Sequence, residues 1–76
     1  MKKEEFLISL REELEFDTVL TQERIIKEIE EWDSMSVMIL IAFVSDNFNV
    51  TLTGEEIKKM TTFQSLIEKI GLEKFN

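Results

Sequence analysis

The longest uninterrupted apolar run, Val37–Val44, forces the first decision about this fold, because it reads as either a buried strand or a buried helix. A strand needs a partner to satisfy its backbone, and the only other β-like stretch is Val50-Thr51-Leu52, too short to build a sheet. A helix needs no partner strand. Met35, Met38, Ile41, Val44 and Phe48 recur at three- to four-residue spacing behind Asp33, a good N-cap. The run predicts a helix opening at Asp33, with Met38 in its core-facing stripe and Asn47 and Asn49 as stop signals. It is far too short to span a membrane.

The rest of the chain agrees with an all-helical fold. Phe6, Leu7, Leu10 and Leu14 mark an inward stripe on a first helix over 2–15. A long, partly irregular stretch follows from Phe16 to Trp32, with Val19, Leu20, Ile25, Ile26 and Ile29 as expected anchors and Thr21 as the cap of a short turn. Thr53 and Glu56 form a capping-box pattern that opens a short helix carrying Ile57 and Met60. Thr61 and Gln64 repeat the spacing before a last helix bearing Phe63, Leu66, Ile67 and Ile70. Gly71 is placed to end that helix, with Leu72 supplying the accompanying apolar contact. The expected architecture is a single domain over 1–76: an all-α four-helix bundle of three main helices and one short one.

Composition narrows the chemistry. The 76 residues contain no His and no Cys. Imidazole bases, Ser–His relays, thiolate nucleophiles and thiolate metal sites are therefore excluded. A net charge of −7 disfavours nucleic acid, whose phosphates require clustered Lys and Arg. The start Met1-Lys2-Lys3-Glu4-Glu5 lacks the apolar centre of a signal peptide, so a cytoplasmic protein is expected. A self-sufficient enzyme is not.

One segment stands apart, Trp32-Asp33-Ser34-Met35-Ser36. Ser34 falls in the first turn of the apolar helix, beside backbone N–H groups that lack intrahelical partners and favour an anion. The bland reading is a cap and its neighbour. The acidic group Glu28, Glu30, Glu31 and Asp33 reads as a solvated loop rather than a cation site, since the spacing of a calcium loop is absent. Ser9, Ser36, Ser45 and Ser65 read as solvated helix faces or first turns. Trp32 fits a loop anchor and a partner contact equally well.

Asp33-Ser34-Met35 resembles the Asp-Ser-Leu signature of acyl carrier proteins, and Trp32 resembles the tryptophan that precedes it in many specialised carriers. The likeness continues through Phe48, Leu52, Ile57, Met60 and Thr61-Thr62-Phe63 to Ile67 and Ile70, while residues before the motif match only in outline. The resemblance implies an acyl-carrier fold and a 4′-phosphopantetheine arm on Ser34, with Asp33 as motif residue and cap. It implies a phosphopantetheinyl transferase and acyl-loading and acyl-transferring enzymes as partners. It also implies a docking face of Met35, Ile39, Ala42, Asp46 and Trp32, and the chain is expected to act as a monomer. The chain departs from the fatty-acid carriers along its second helix. Ile39 and Ser45 stand where glutamates are usual, Ser36 replaces an aspartate, and only Asp46 remains. From Ser34 to Thr53 there is one acid and no base, against six acids and two bases in 17–33. That pattern suits a specialised pathway and a docking contact steered weakly by charge. The competing class is an acidic helical interaction module without a prosthetic group.

Overall fold

In a computed structural model describing all 76 residues, four helices carry the regular structure: α1 Lys3–Leu14, α2 Ser34–Phe48, α3 Gly54–Lys59 and α4 Phe63–Ile70. Short 3-10 turns at Ile26–Glu28 and Leu72–Lys74 complete it, and there are no strands. This is a small all-α bundle. No helix is long and apolar enough to cross a membrane.

Each helix begins and ends for a local reason. The Lys2 N–H donates to the Glu5 carboxylate at 2.8 Å, opening α1. Glu15 closes it in the left-handed region (φ 58), where the Glu15 and Phe16 N–H groups reach back to Glu12 and Arg11 carbonyls. Asp33 caps α2, and Asn49 ends it, also left-handed (φ 56). Asn47 donates its side-chain amide to the Phe43 carbonyl at 2.9 Å within that last turn. Thr53 and Glu56 form the expected capping box of α3.

Packing centres on Phe6. Its ring meets Phe43, Phe48 and Phe75 at centroid separations of 5.5–5.8 Å. Leu10, Leu40, Val44, Phe63, Leu66 and Ile67 complete the interior. The long stretch before α2 is tied to α4 by its backbone. Phe63 and Gln64 N–H donate to the Arg24 and Gln22 carbonyls at 3.3 and 2.9 Å, and Ile26 N–H donates to Thr61 at 2.8 Å. The first two bonds satisfy α4 donors that would otherwise lack partners.

Several expectations are corrected. Met38 is not core: it is 71% exposed, and Leu40 and Phe43 take the inward positions. Ile41 is only half-buried. Ser36 is not solvated but buried at 4% exposure. Val19 and Ile25 are exposed, whereas Leu20, Ile26 and Ile29 do anchor the loop. Thr21 closes its turn with a backbone carbonyl, accepting from Arg24 N–H, rather than as a side-chain cap. The cap of α4 is Thr62, paired with Ser65, because Thr61 is engaged by its carbonyl to Ile26. Gln64 instead turns towards Glu68 at 3.4 Å. Gly71 ends α4 as expected (φ 117). Leu72 is exposed, while Phe75 is buried with its ring 4.9 Å from that of Phe48.

Candidate functional site

The start of α2 is built by two side chains. Asp33 accepts from the Ser36 backbone N–H at 2.9 Å and from the Ser36 hydroxyl at 3.0 Å. The same hydroxyl lies 3.3 Å from Asp33 N–H, closing the cap reciprocally. The Ser36 N–H, then its hydroxyl, hold the Asp33 carboxyl below the usual aspartate range. Ser36 is the capping residue that its chemistry alone would send to the surface. The signal was present as Asp and Ser three residues apart.

Ser34 is exposed at the first position of the helix. No hydrogen bond within the chain engages its hydroxyl, and its N–H has no backbone acceptor. The contrast with α4 is direct, since there the first N–H groups are covered by loop carbonyls. Ser34 is therefore open to an incoming group. A helix N-terminus stabilises a negative charge at that position.

The loop in front of α2 is held by Arg11 and Glu31. Arg11 donates to the carbonyls of Phe16 at 3.1 Å and Asp17 at 2.7 Å. Glu31 accepts from the Thr18 hydroxyl and, at 2.7 Å, from Asp17 N–H. Those two bonds, in that order, lower the Glu31 carboxyl from its usual range. Trp32 is half-buried and meets Phe16 edge to face at 6.4 Å, which makes it a loop anchor. Glu31 and Asp33 are thus turned to different local partners, and nowhere are three carboxylates gathered in a geometry that holds a metal ion.

Beside this helix start lies a depression of about 270 Å³ between α1, the loop and α2, bordered by Leu14, Glu15, Phe16, Glu31, Met35 and Ile39. A second, of about 350 Å³, continues it along α2 past Ile39, Ala42 and Asp46, with Glu13 of α1 opposite. The structure therefore brings Met35, Ile39, Ala42 and Asp46 to one edge and leaves Trp32 in the loop packing. Met35, 66% exposed, and Met38 stand out on the same helix. The acids Glu13 and Glu15 belong to this groove although they lie far from α2 in sequence, and Glu31 joins them from the loop just before it. No family model matches this chain, and no curated protein or solved structure is significantly similar to it.

Proposed function

We propose that this protein is a carrier whose Ser34 receives a 4′-phosphopantetheine arm and which presents acyl groups to partner enzymes. The observation that carries this reading is Ser34 itself: an exposed hydroxyl, free of internal hydrogen bonds, at the N-terminus of an apolar helix capped independently by Asp33 and Ser36.

These residues fit the arm. Attachment asks for an accessible hydroxyl and for surroundings that tolerate a phosphodiester, and the helix start supplies both. Ser34 has no base of its own in the chain, which contains no His and no Cys, so it acts as a substrate rather than a catalyst. Its oxygen attacks the pyrophosphate of coenzyme A on the transferase. A new oxygen–phosphorus bond forms, adenosine 3′,5′-bisphosphate leaves, and the hydroxyl proton passes to a base on that enzyme. The arm supplies a terminal thiol on which an acyl group is carried as a thioester. The protein contributes the address. Asp33 and Ser36 hold the helix start, so the serine meets its enzyme in a fixed orientation.

Partner enzymes on this reading dock along Met35, Ile39, Ala42 and Asp46, with exposed Met38 widening the apolar strip. The α2 sequence alone implies weak charge steering. The groove changes that expectation, because Glu13, Glu15 and Glu31 edge the same surface. Incubation with coenzyme A and a broad-specificity phosphopantetheinyl transferase, read by intact mass, tests the proposal. One added arm on the wild type and none on Ser34→Ala is the expected result. No addition with several transferases would leave the interaction module as the better reading.

A further inference from the structure

A different part of the surface carries an inference independent of Ser34. Between α1 and the loop lies a depression of about 290 Å³ lined by Glu4, Leu7, Ile8, Leu20, Gln22 and Glu23. Leu7 and Leu20 form an apolar floor, each only 6% exposed. Ile8 rises beside it at 62% exposure, an isolated large aliphatic on a helix face otherwise rich in glutamate. Glu4 and Glu23 stand on opposite elements across the depression. Neither takes part in a side-chain hydrogen bond or in the single ion pair of the molecule, Lys69–Glu56.

The depression is preformed rather than loosely draped. The Gln22 carbonyl holds the Gln64 N–H of α4 at 2.9 Å, which fixes the loop side. Arg11, one of two basic residues on α1, is turned to the Phe16 and Asp17 carbonyls, so it does not neutralise Glu4. The site is also separate from the helix start. Ile8 lies nearly two turns, roughly 10 Å, along α1 from Leu14, which borders the groove beside Asp33.

We propose that this depression is a docking site for a basic amphipathic segment of a partner protein. An apolar floor between two unpaired carboxylates matches a lysine or arginine side chain, whose methylene stem buries while its charged end reaches an acid. The exposed Ile8 asks for an apolar side chain one turn away on the same segment. The depression is too shallow to enclose most of a small ligand, which is the usual requirement for tight small-molecule binding. A helix laid across it would cover Ile8 and meet both acids. Such a partner can remain bound while the α2 end is engaged elsewhere.

The test uses the full ¹⁵N-labelled chain and three synthetic peptides: an amphipathic Leu/Lys helix, its Leu/Glu counterpart, and a Lys/Ser peptide of the same charge. The Leu/Lys peptide should shift the amide signals of Glu4, Leu7, Ile8, Leu20 and Glu23, whether or not those of Met35 and Met38 also move. Glu4→Gln and Glu23→Gln should each weaken it about two- to fivefold, the range of an exposed ion pair. Ile8→Lys should abolish it, and because Ile8 is exposed this variant keeps its fold, checked by circular dichroism. Equal binding of the Lys/Ser peptide would reduce the contact to general attraction by an acidic chain and overturn the proposal. Shifts confined to α2, or no localised shifts, would overturn it equally. These outcomes are read without modifying Ser34, so they stand apart from the carrier reading.

Discussion

Asp33, Ser34 and Ser36 are neighbours with three different jobs, and substitution should separate them. Ser34→Ala removes an exposed hydroxyl without partners and should change stability by no more than about 0.5 kcal/mol. Ser36→Ala deletes a buried hydroxyl bonded to the cap and should cost about 1 kcal/mol. Asp33→Ala removes the acceptor for the helix start and should destabilise more than Ser34→Ala. Urea unfolding of the three variants checks the order. The Asp33 carboxyl is held below its usual range by the Ser36 N–H and hydroxyl, so its charged form is the stabilising one. That contribution is complete above the unfolded-state value of about 4 and disappears as pH falls through the lower folded value. The stability gap between wild type and Asp33→Asn should therefore be constant near neutrality and close below about pH 4. A gap that widens on acidification would contradict the hydrogen-bonded cap.

At the scale of the elements, α2 shows what periodicity can and cannot resolve. Its helical character and its cap are legible, because Asp33 precedes a long apolar run with no partner strand. Its orientation is not. With apolar residues on every side, Met35–Met38–Ile41 and Leu40–Phe43–Val44 describe equally good stripes, and contact with α1 and α3 selects the second. Met38→Gln should thus alter stability by less than about 0.5 kcal/mol. Leu40→Ala, at a fully buried position, should cost about 2–5 kcal/mol. Calorimetric or urea unfolding distinguishes the two faces. Thr61 and Thr62 pose the same problem in miniature. Both fit a capping box, and the choice is made by Ile26, far away in sequence, which takes the Thr61 carbonyl. The grouping of Glu13 and Glu15 with Glu31 and α2 is likewise tertiary. If enzymes dock there, Ile39→Glu should raise the KM of a cognate enzyme, since a half-buried apolar contact is replaced by a charge requiring desolvation. Association should also slow with added salt through those acids.

On the scale of the whole molecule, a net charge of −7 is set against a single ion pair, Lys69–Glu56 at 2.9 Å. Like charges on a domain this small oppose the folded state. Sodium chloride should therefore raise Tm, with most of the gain reached once the screening length falls to about 8–10 Å. A Tm indifferent to salt would mean that the charges are spaced too widely to repel. The same distribution keeps the region from Ser34 to Ser45 free of charge and concentrates acids around it, consistent with an apolar contact face within an acidic chain. The proposed carrier function rests on Ser34, and its most direct measurement is tandem mass spectrometry after treatment with coenzyme A and a phosphopantetheinyl transferase. Trypsin releases the segment from Glu28 to Lys58, which holds Ser34, Ser36 and Ser45 together. Fragment ions should place one phosphopantetheine on Ser34 and leave buried Ser36 and exposed Ser45 unmodified; an arm on either of those serines, or on none, would contradict the account.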